Sequence, residues 1–223
     1  MAKKKQVKIQ RKSNRSLYYL IAAVIIIAGL AFYINSAQKP VDNQKIAGEY
    51  TKLSTPGTYE PGKVKIIEIM KFDCSHCYDL HKEFPALLNK YGDKIEITYI
   101  PVVWEGQSTK SIEAYIIAKN MGKGDEMKDA MFESQELFRL GKANGKDVME
   151  SLIALEDIAS QIGLGPDFNS KLESGFAKND ALKNLELMKY YKLKGTPMVI
   201  INGNLNVNPT ISNLDTVIGS LLS

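Results

Sequence analysis

Cysteine is nearly absent from this chain: 223 residues hold two, Cys74 and Cys77, separated by two positions. Two thiols in one C-x-x-C cannot build the disulfide framework of a small secreted scaffold. Histidine is equally scarce, with His76 and His81 alone. Cys74, Cys77 and His81, with His76 beside them, therefore lack the second cysteine pair that a tetrahedral structural zinc site draws on. Haem attachment is excluded because Tyr78, not histidine, follows Cys77. No internal repeat and no low-complexity stretch is present. Neither a metal nor a cofactor is expected.

Acidic residues are missing from the first sixteen positions, which carry Lys3, Lys4, Lys5, Lys8, Arg11, Lys12 and Arg15. Without those seven, the chain has 22 basic against 25 acidic residues, a balance of −3 beside the overall +4. A basic tail on a mildly acidic body argues against nucleic acid as a partner. Charge of either sign then disappears from Leu17 to Ile34. At ~1.5 Å of rise per residue, eighteen residues span roughly 27 Å, enough for a bilayer core. Tyr18, Tyr19 and Tyr33 flank the run where amphipathic rings favour the headgroups. The positive-inside bias puts residues 1–16 in the cytoplasm and everything beyond residue 35 outside. Cleavage near Gly29-Leu30-Ala31 is the rival fate. The expectation is a retained, single-pass signal-anchor over residues 17–34. No cysteine lies near its end, so a lipoprotein is excluded.

Residues 35–62 are polar and broken by Pro40, Gly48, Pro56, Gly57, Pro61 and Gly62, and read as a linker with a short strand near Tyr50 to Leu53. A dense, isoleucine-rich strand follows from Lys63 to Phe72, then a helix from Cys74 to Tyr91 stopped by Gly92. A second strand runs from Lys94 to Val103, and this β–α–β order implies parallel pairing with a right-handed crossover. Residues 108 to about 193 read as helical. Ile112, Tyr115, Ile116, Met127, Met131, Phe132, Val148, Leu152, Leu155, Ile158 and Ile162 form stripes read as core packing. Strand signals return at Met198 to Ile201, turn through Asn202-Gly203-Asn204 into Leu205 to Val207, and an amphipathic helix from Thr210 to Leu222 closes the chain.

Cys74-Ser75-His76-Cys77 lies directly after a buried strand and at the start of a helix. There the free N–H groups and the positive end of the helix dipole stabilise an anion, which lowers the Cys74 pKa. His76 can add a positive charge or a donor to the same sulfur. Cys77, one turn further in, is more shielded. Cys74 is therefore the attacking or attacked sulfur, and Cys77 resolves the mixed disulfide. His81 reads as a partly exposed helix residue. An exported chain whose only thiols form one C-x-x-C uses them for chemistry.

The segment Phe72-Asp73-Cys74-Ser75-His76-Cys77-Tyr78 resembles the active site of the DsbA-like family of thioredoxin-fold proteins. Gly195-Thr196-Pro197, with the strand to Asn202 and Gly203, resembles that family's cis-proline loop. The likeness covers roughly residues 63–222. Gly122 to Ser134 and Ile162-Gly163-Leu164 fall where such proteins have helical-insert segments. Ser75 departs from the family, in which many members have proline. The resemblance implies an α/β thioredoxin fold over 63–223, with a helical insertion at about 108–180. It also implies a cis peptide at Pro197, which leaves the backbone of Thr196 free to pair with an extended substrate. Glu68, six residues before Cys74 and on a strand face with Ile66, Met70 and Phe72, reads either as a solvated strand-edge carboxylate or as one buried among apolar neighbours; the resemblance supports burial, which raises the pKa and suits it to shuttle the Cys77 proton. Related proteins carry an acidic residue beneath the active site.

The expected activity is protein thiol–disulfide exchange on the periplasmic or extracytoplasmic side of the cytoplasmic membrane, with donation of the Cys74–Cys77 disulfide to exported proteins. A quinone-linked membrane oxidase is the expected partner, and a membrane reductase would mark the opposite direction. Isomerases of this type usually bring a dimerisation domain, for which residues 35–62 are short. A thiol-independent, membrane-tethered adaptor or holdase is the reading from a different class. Intact Cys74, His76, Cys77 and Pro197 speak against it.

Overall fold

The isoleucine-rich segment that follows the N-terminal region forms the centre of the sheet. In the computed structural model, which describes residues 45–223, strand β2 (Val64–Met70) has neighbours on both sides. It pairs in parallel with β3 (Ile95–Pro101) and antiparallel with β4 (Met198–Ile201). Beyond β4 lie β5 (Leu205–Val207) and β1 (Tyr50–Lys52), so the described residues form a five-stranded sheet in the order β1-β5-β4-β2-β3. A strand covered on both faces needs apolar residues at successive positions, and β2 and β4 supply them. Ladder pairing stops at Met70 because the chain then turns, with the Cys74 N–H donating to the Lys71 carbonyl at 3.3 Å. The strand is therefore shorter than Lys63 to Phe72, and β3 is likewise shorter than Lys94 to Val103.

Helix α1 (Ser75–Tyr91) crosses from β2 to β3 and buries Cys77, Leu80, Phe84 and Leu87, spaced so that they share one face. Leu80, Phe84 and Leu87 meet Val64, Ile66, Val199 and Leu205 of the sheet and Leu214, Val217 and Ile218 of the closing helix, while Cys77 joins the cluster of Met70 and Phe72. The opposite sheet face, with Ile69, Ile100, Met198 and Ile200, packs on Leu185, Met188 and Tyr191.

Between β3 and β4 come α2 (Lys110–Asn120), α3 (Gly124–Glu133), α4 (Gln135–Arg139), α5 (Gly145–Glu150), α6 (Leu152–Gln161), α7 (Pro166–Ser174) and α8 (Lys178–Tyr190). The closing helix is α9 (Ile211–Leu222), capped by the Thr210 hydroxyl accepting from the Asn213 N–H. Met127, Met131, Phe132, Leu155 and Ile158 lie in one buried cluster with Met70 and Phe72, so the stripes are core. The end of β2 thus plugs into the helical insertion. Glu68 occupies the seam, between Ile66 of the sheet core and Met70 of the insertion core.

Residues 46–62 are a correction to the linker reading, because the compact unit begins at Ile46. β1 pairs with β5, the Ala47 N–H reaches the Ser220 hydroxyl at 3.0 Å, and the Thr58 N–H donates to the Asn202 carbonyl at 2.8 Å. Polar, proline-broken sequence here marks an edge strand and its flanks, whose partners lie some 150 residues away in the chain. The turn at Asn202-Gly203 holds left-handed φ values of 48° and 77°, and a Cβ on Gly203 would stand 2.8 Å from the Pro56 carbonyl oxygen. Only glycine fits that approach. Among the described residues no helix is long and apolar enough to cross a membrane, and the segment 17–34 lies outside them.

Candidate active site

Cys74 is the N-cap of α1, in extended backbone (φ −93°, ψ 118°), and its sulfur accepts the Cys77 N–H at 3.4 Å. A sulfur at this position faces N–H groups that have no partner within the helix. Its pKa falls to about 5. The Cys77 thiol, donating to it, is the largest cause; burial opposes the fall, and the Thr196 side chain and the N–H groups of Cys77 and His76 add to it. Cys77 is fully buried, and burial, then the hydrogen bond and charge of Cys74, push its thiol far up. One sulfur is an anion at neutral pH and the other a proton-bearing acid, which is the asymmetry that nucleophile and resolving thiol require.

His76 is exposed at the mouth of the site. Its backbone N–H helps to lower the Cys74 pKa. His81 sits one helical turn further along α1, stacked on Phe132 at 4.6 Å between ring centres, with Nε2 3.6 Å from Asp129. Burial, then the charge of Lys128, lower its pKa to about 4.

Thr196 and Pro197 face the thiols. The peptide between them is cis, and the Thr196 carbonyl oxygen lies 3.4 Å from the Cys74 Sγ, within reach of its proton when the thiol is protonated. From His76 and Pro197 a cleft of about 1540 Å³ runs past Tyr190 and Lys192 and along β1 to Ile211. The edge strand β1, read from the sequence as a short strand near Tyr50 to Leu53, forms one wall of it.

Glu68 is 1% exposed, and its Oε1 has no hydrogen-bond partner among the described residues. Burial raises its pKa to about 8, with Lys128 pulling down and the Cys74 charge pushing up. A carboxyl that titrates near neutrality and feels the Cys74 charge can take or give a proton at working pH. The structure therefore brings Glu68, Cys74, His76, Cys77, Thr196 and Pro197 to one place.

Two residues of the site escaped the sequence reading. Gln135 is buried, and its amide donates to the Phe72 carbonyl at 2.6 Å and the Cys74 carbonyl at 3.1 Å, tying the insertion to the active-site loop. Lys128 is buried beside Tyr99 and Asp129. Both come from inserted helices more than fifty residues downstream, where a lone glutamine or lysine carries no local signal. Lys71 is buried as well, with its Nζ 3.2 Å from Asp73 and 2.8 Å from Gln107.

A low-pKa thiol at a helix start, a buried partner thiol and a facing cis-proline loop define a thioredoxin-type dithiol site. The chain belongs to the thioredoxin family, whose model matches residues 60–219. It is 25% identical over 184 residues to the thiol:disulfide interchange protein DsbA of Pseudomonas syringae pv. tomato, covering 82% of each chain. Its identity to the protein of that name from Burkholderia cepacia is 21% over 195 residues, covering 87% of this chain and 89% of the relative. Among solved structures, DsbA of Xylella fastidiosa superimposes with a TM-score of 0.62 at 20% identity, over 77% of this chain and 94% of that one. DsbA of Pseudomonas aeruginosa gives 0.61 at 19%, over 77% and 91%. These likenesses establish the fold, a thioredoxin-like α/β architecture with a helical insertion. The protein is a DsbA-like thiol–disulfide oxidoreductase.

Proposed function

We propose that this enzyme oxidises exported proteins, donating the Cys74–Cys77 disulfide to pairs of substrate thiols. The observation that carries the reading is the Cys74 sulfur, held as a thiolate by α1 and by Cys77. A substrate thiolate attacks Cys74, and Cys77 leaves and takes a proton through Glu68. A second substrate thiol then attacks the mixed disulfide, and Cys74 departs as the stabilised thiolate. Two electrons pass from substrate to enzyme, and a thiolate this acidic is a good leaving group. Thr196 and Pro197 align an extended substrate backbone along the cleft, and His76 borders its mouth.

Residues 17–34 hold the enzyme in the cytoplasmic membrane with residues 35–223 outside, and a quinone-linked membrane oxidase removes the two electrons. Recovery of the full chain in the membrane fraction, against release of a chain lacking residues 1–34, supports this placement; a mature N-terminus near Phe32 contradicts it.

The direction of electron flow is tested by the equilibrium potential of the Cys74–Cys77 pair in glutathione buffers. Oxidising members of the superfamily lie near about −120 mV and reducing ones near about −270 mV. A value more positive than about −200 mV is expected. A value near the reducing figure assigns the enzyme to reduction.

A further inference from the structure

A thiolate at the start of a helix is stable only while the N–H groups that meet it stay aimed at the sulfur. For Cys74 those groups are the backbone N–H of His76 and that of Cys77, the latter 3.4 Å from Sγ. Their aim depends on the cap. The ψ of Cys74, 118°, fixes both the direction of its carbonyl and the place of its side chain relative to the first turn of α1. By this point the chain has left β2, which ends at Met70, so the ladder no longer holds it. One turn bond, from the Cys74 N–H to the Lys71 carbonyl, closes the loop from within. From outside it is held by Gln135, the first residue of α4 and 2% exposed. The carboxamide nitrogen donates to the Phe72 carbonyl at 2.6 Å and to the Cys74 carbonyl at 3.1 Å. Both neighbours are carbonyl oxygens, so nitrogen is the atom that faces them, and its two hydrogens match two acceptors. The Cys74 carbonyl also accepts the Tyr78 N–H at 3.1 Å, which opens the bonding of α1. The amide thus grips the loop on both sides of Asp73 and at the point where the helix begins.

We propose that Gln135, supplied by the helical insertion, is the positioning residue for the nucleophile: by gripping the Phe72 and Cys74 carbonyls it holds the Cys74 sulfur against the N–H groups at the start of α1. The inference rests on the reading of Cys74 as the attacking sulfur and deepens it. Water does not take over the role of the amide, because Phe72 is buried and its carbonyl enclosed. A buried acceptor that loses its donor is costly, so the loop shifts to find another and carries the cap with it. The titratable groups around the sulfur are Cys77 and His76 of α1, Glu68 of β2, and Asp73 beside it, which is paired with Lys71. From α4 comes Glu136, whose carboxylate accepts the Tyr78 hydroxyl at 2.9 Å. Gln135 is uncharged, and a neutral replacement alters none of these charges. A change in the acidity of Cys74 on such a replacement therefore reports the geometry of the cap and not a new field.

The test alkylates the reduced full-length protein with iodoacetamide between pH 3 and 9, with the modified sulfur identified by mass spectrometry. In the unsubstituted protein the rate should rise on Cys74 with a midpoint of about 5. Gln135→Met and Gln135→Leu should raise that midpoint by about one pH unit, the scale of one lost hydrogen bond to a charged group. Two neutral replacements are used so that a fault in the folding of one leaves the other to decide. At pH 7 the equilibrium with glutathione should then shift about tenfold toward the protein disulfide, a potential about 30 mV more negative. Glu136→Ala cuts the neighbouring bond of α4 to the Tyr78 hydroxyl and should leave midpoint and potential in place. A midpoint or a potential that is unchanged in both Gln135 variants overturns the inference. So does a Glu136→Ala variant that shifts as far as they do, since loosening of α4 would then be the cause. The adduct separates the two layers. An acid-range limb on Cys77 shows that the attacking sulfur is misassigned. A limb on Cys74 that ignores both Gln135 substitutions fails the role of Gln135 alone.

Discussion

Cys77→Ser is expected to accumulate mixed disulfides with exported proteins through Cys74, while Cys74→Ser accumulates none and loses exchange activity by about 10³-fold or more, the scale set by loss of a covalent nucleophile. The asymmetry follows from the two sulfurs. Cys74 is partly exposed and caps α1, and Cys77 is wholly enclosed with its thiol pKa raised. A partner captured by Cys74 that has no second free thiol of its own is released by Cys77, so the serine at 77 leaves that complex intact. Non-reducing gels of the two variants, with capture confirmed by mass spectrometry, provide the measurement. Equal trapping by both would show that the attacking sulfur has been misassigned. The same pair of variants disposes of the adaptor reading, because a thiol-independent holdase would bind equally well with serine at 74.

The second large effect is a pH-dependent gap between the melting temperatures of the reduced and oxidised forms. A thiol whose folded pKa is depressed adds stability that is complete above the unfolded value and is lost as pH falls through the folded value. For Cys74 those limits are 9.0 and about 5. Between them the reduced form gains up to about 1.4 kcal/mol per pH unit. Solvent screening of a half-buried sulfur reduces the gain at pH 8 to about 3 kcal/mol. Against this the oxidised form has a loop closed over four residues, worth at most about 2 kcal/mol in chain entropy. The reduced form should therefore melt about 2–4 °C higher at pH 8. The gap should close and then reverse toward pH 5. Glu68 pulls the other way in both forms: a carboxyl raised from 4.5 to about 8 favours the folded state least above the higher value. That cost is shared, so it largely cancels from the difference and leaves Cys74 as its source. Parallel calorimetry of both forms between pH 5 and 9 tests the expectation. A gap that does not change with pH would mean that the thiolate is not held by the fold, and an oxidised form that melts higher at pH 8 would favour the reductive direction.

The strands at Met198–Ile201 and Leu205–Val207 and the helix ending at Tyr91 were legible because local patterning suffices for them. Alternation, an Asn-Gly turn and a terminal glycine are short-range signals. β1 was legible only as a hint, since Tyr50–Lys52 is half-exposed and polar and acquires its ladder from β5. An edge strand needs few apolar residues of its own, so composition files it with linkers. The seven inserted helices showed their apolar stripes, but the stripes do not state what they cover. Only the structure shows Met127, Met131 and Phe132 closing over Met70 and Phe72.

The dithiol, its place between a buried strand and a helix, and the proline loop some 120 residues later were all set by sequence, because backbone geometry at a helix start depends on neighbours a few residues away. The charge state of that site was a tertiary decision. Glu68 titrates near neutrality only because two cores meet around it, and Gln135 reaches the active-site loop, and Lys128 the Tyr99 ring, only because the insertion folds back onto the end of β2. Desolvation and ion pairing act through space over a few ångströms. Residues far apart in the chain therefore determine them, and no local window of sequence contains both partners.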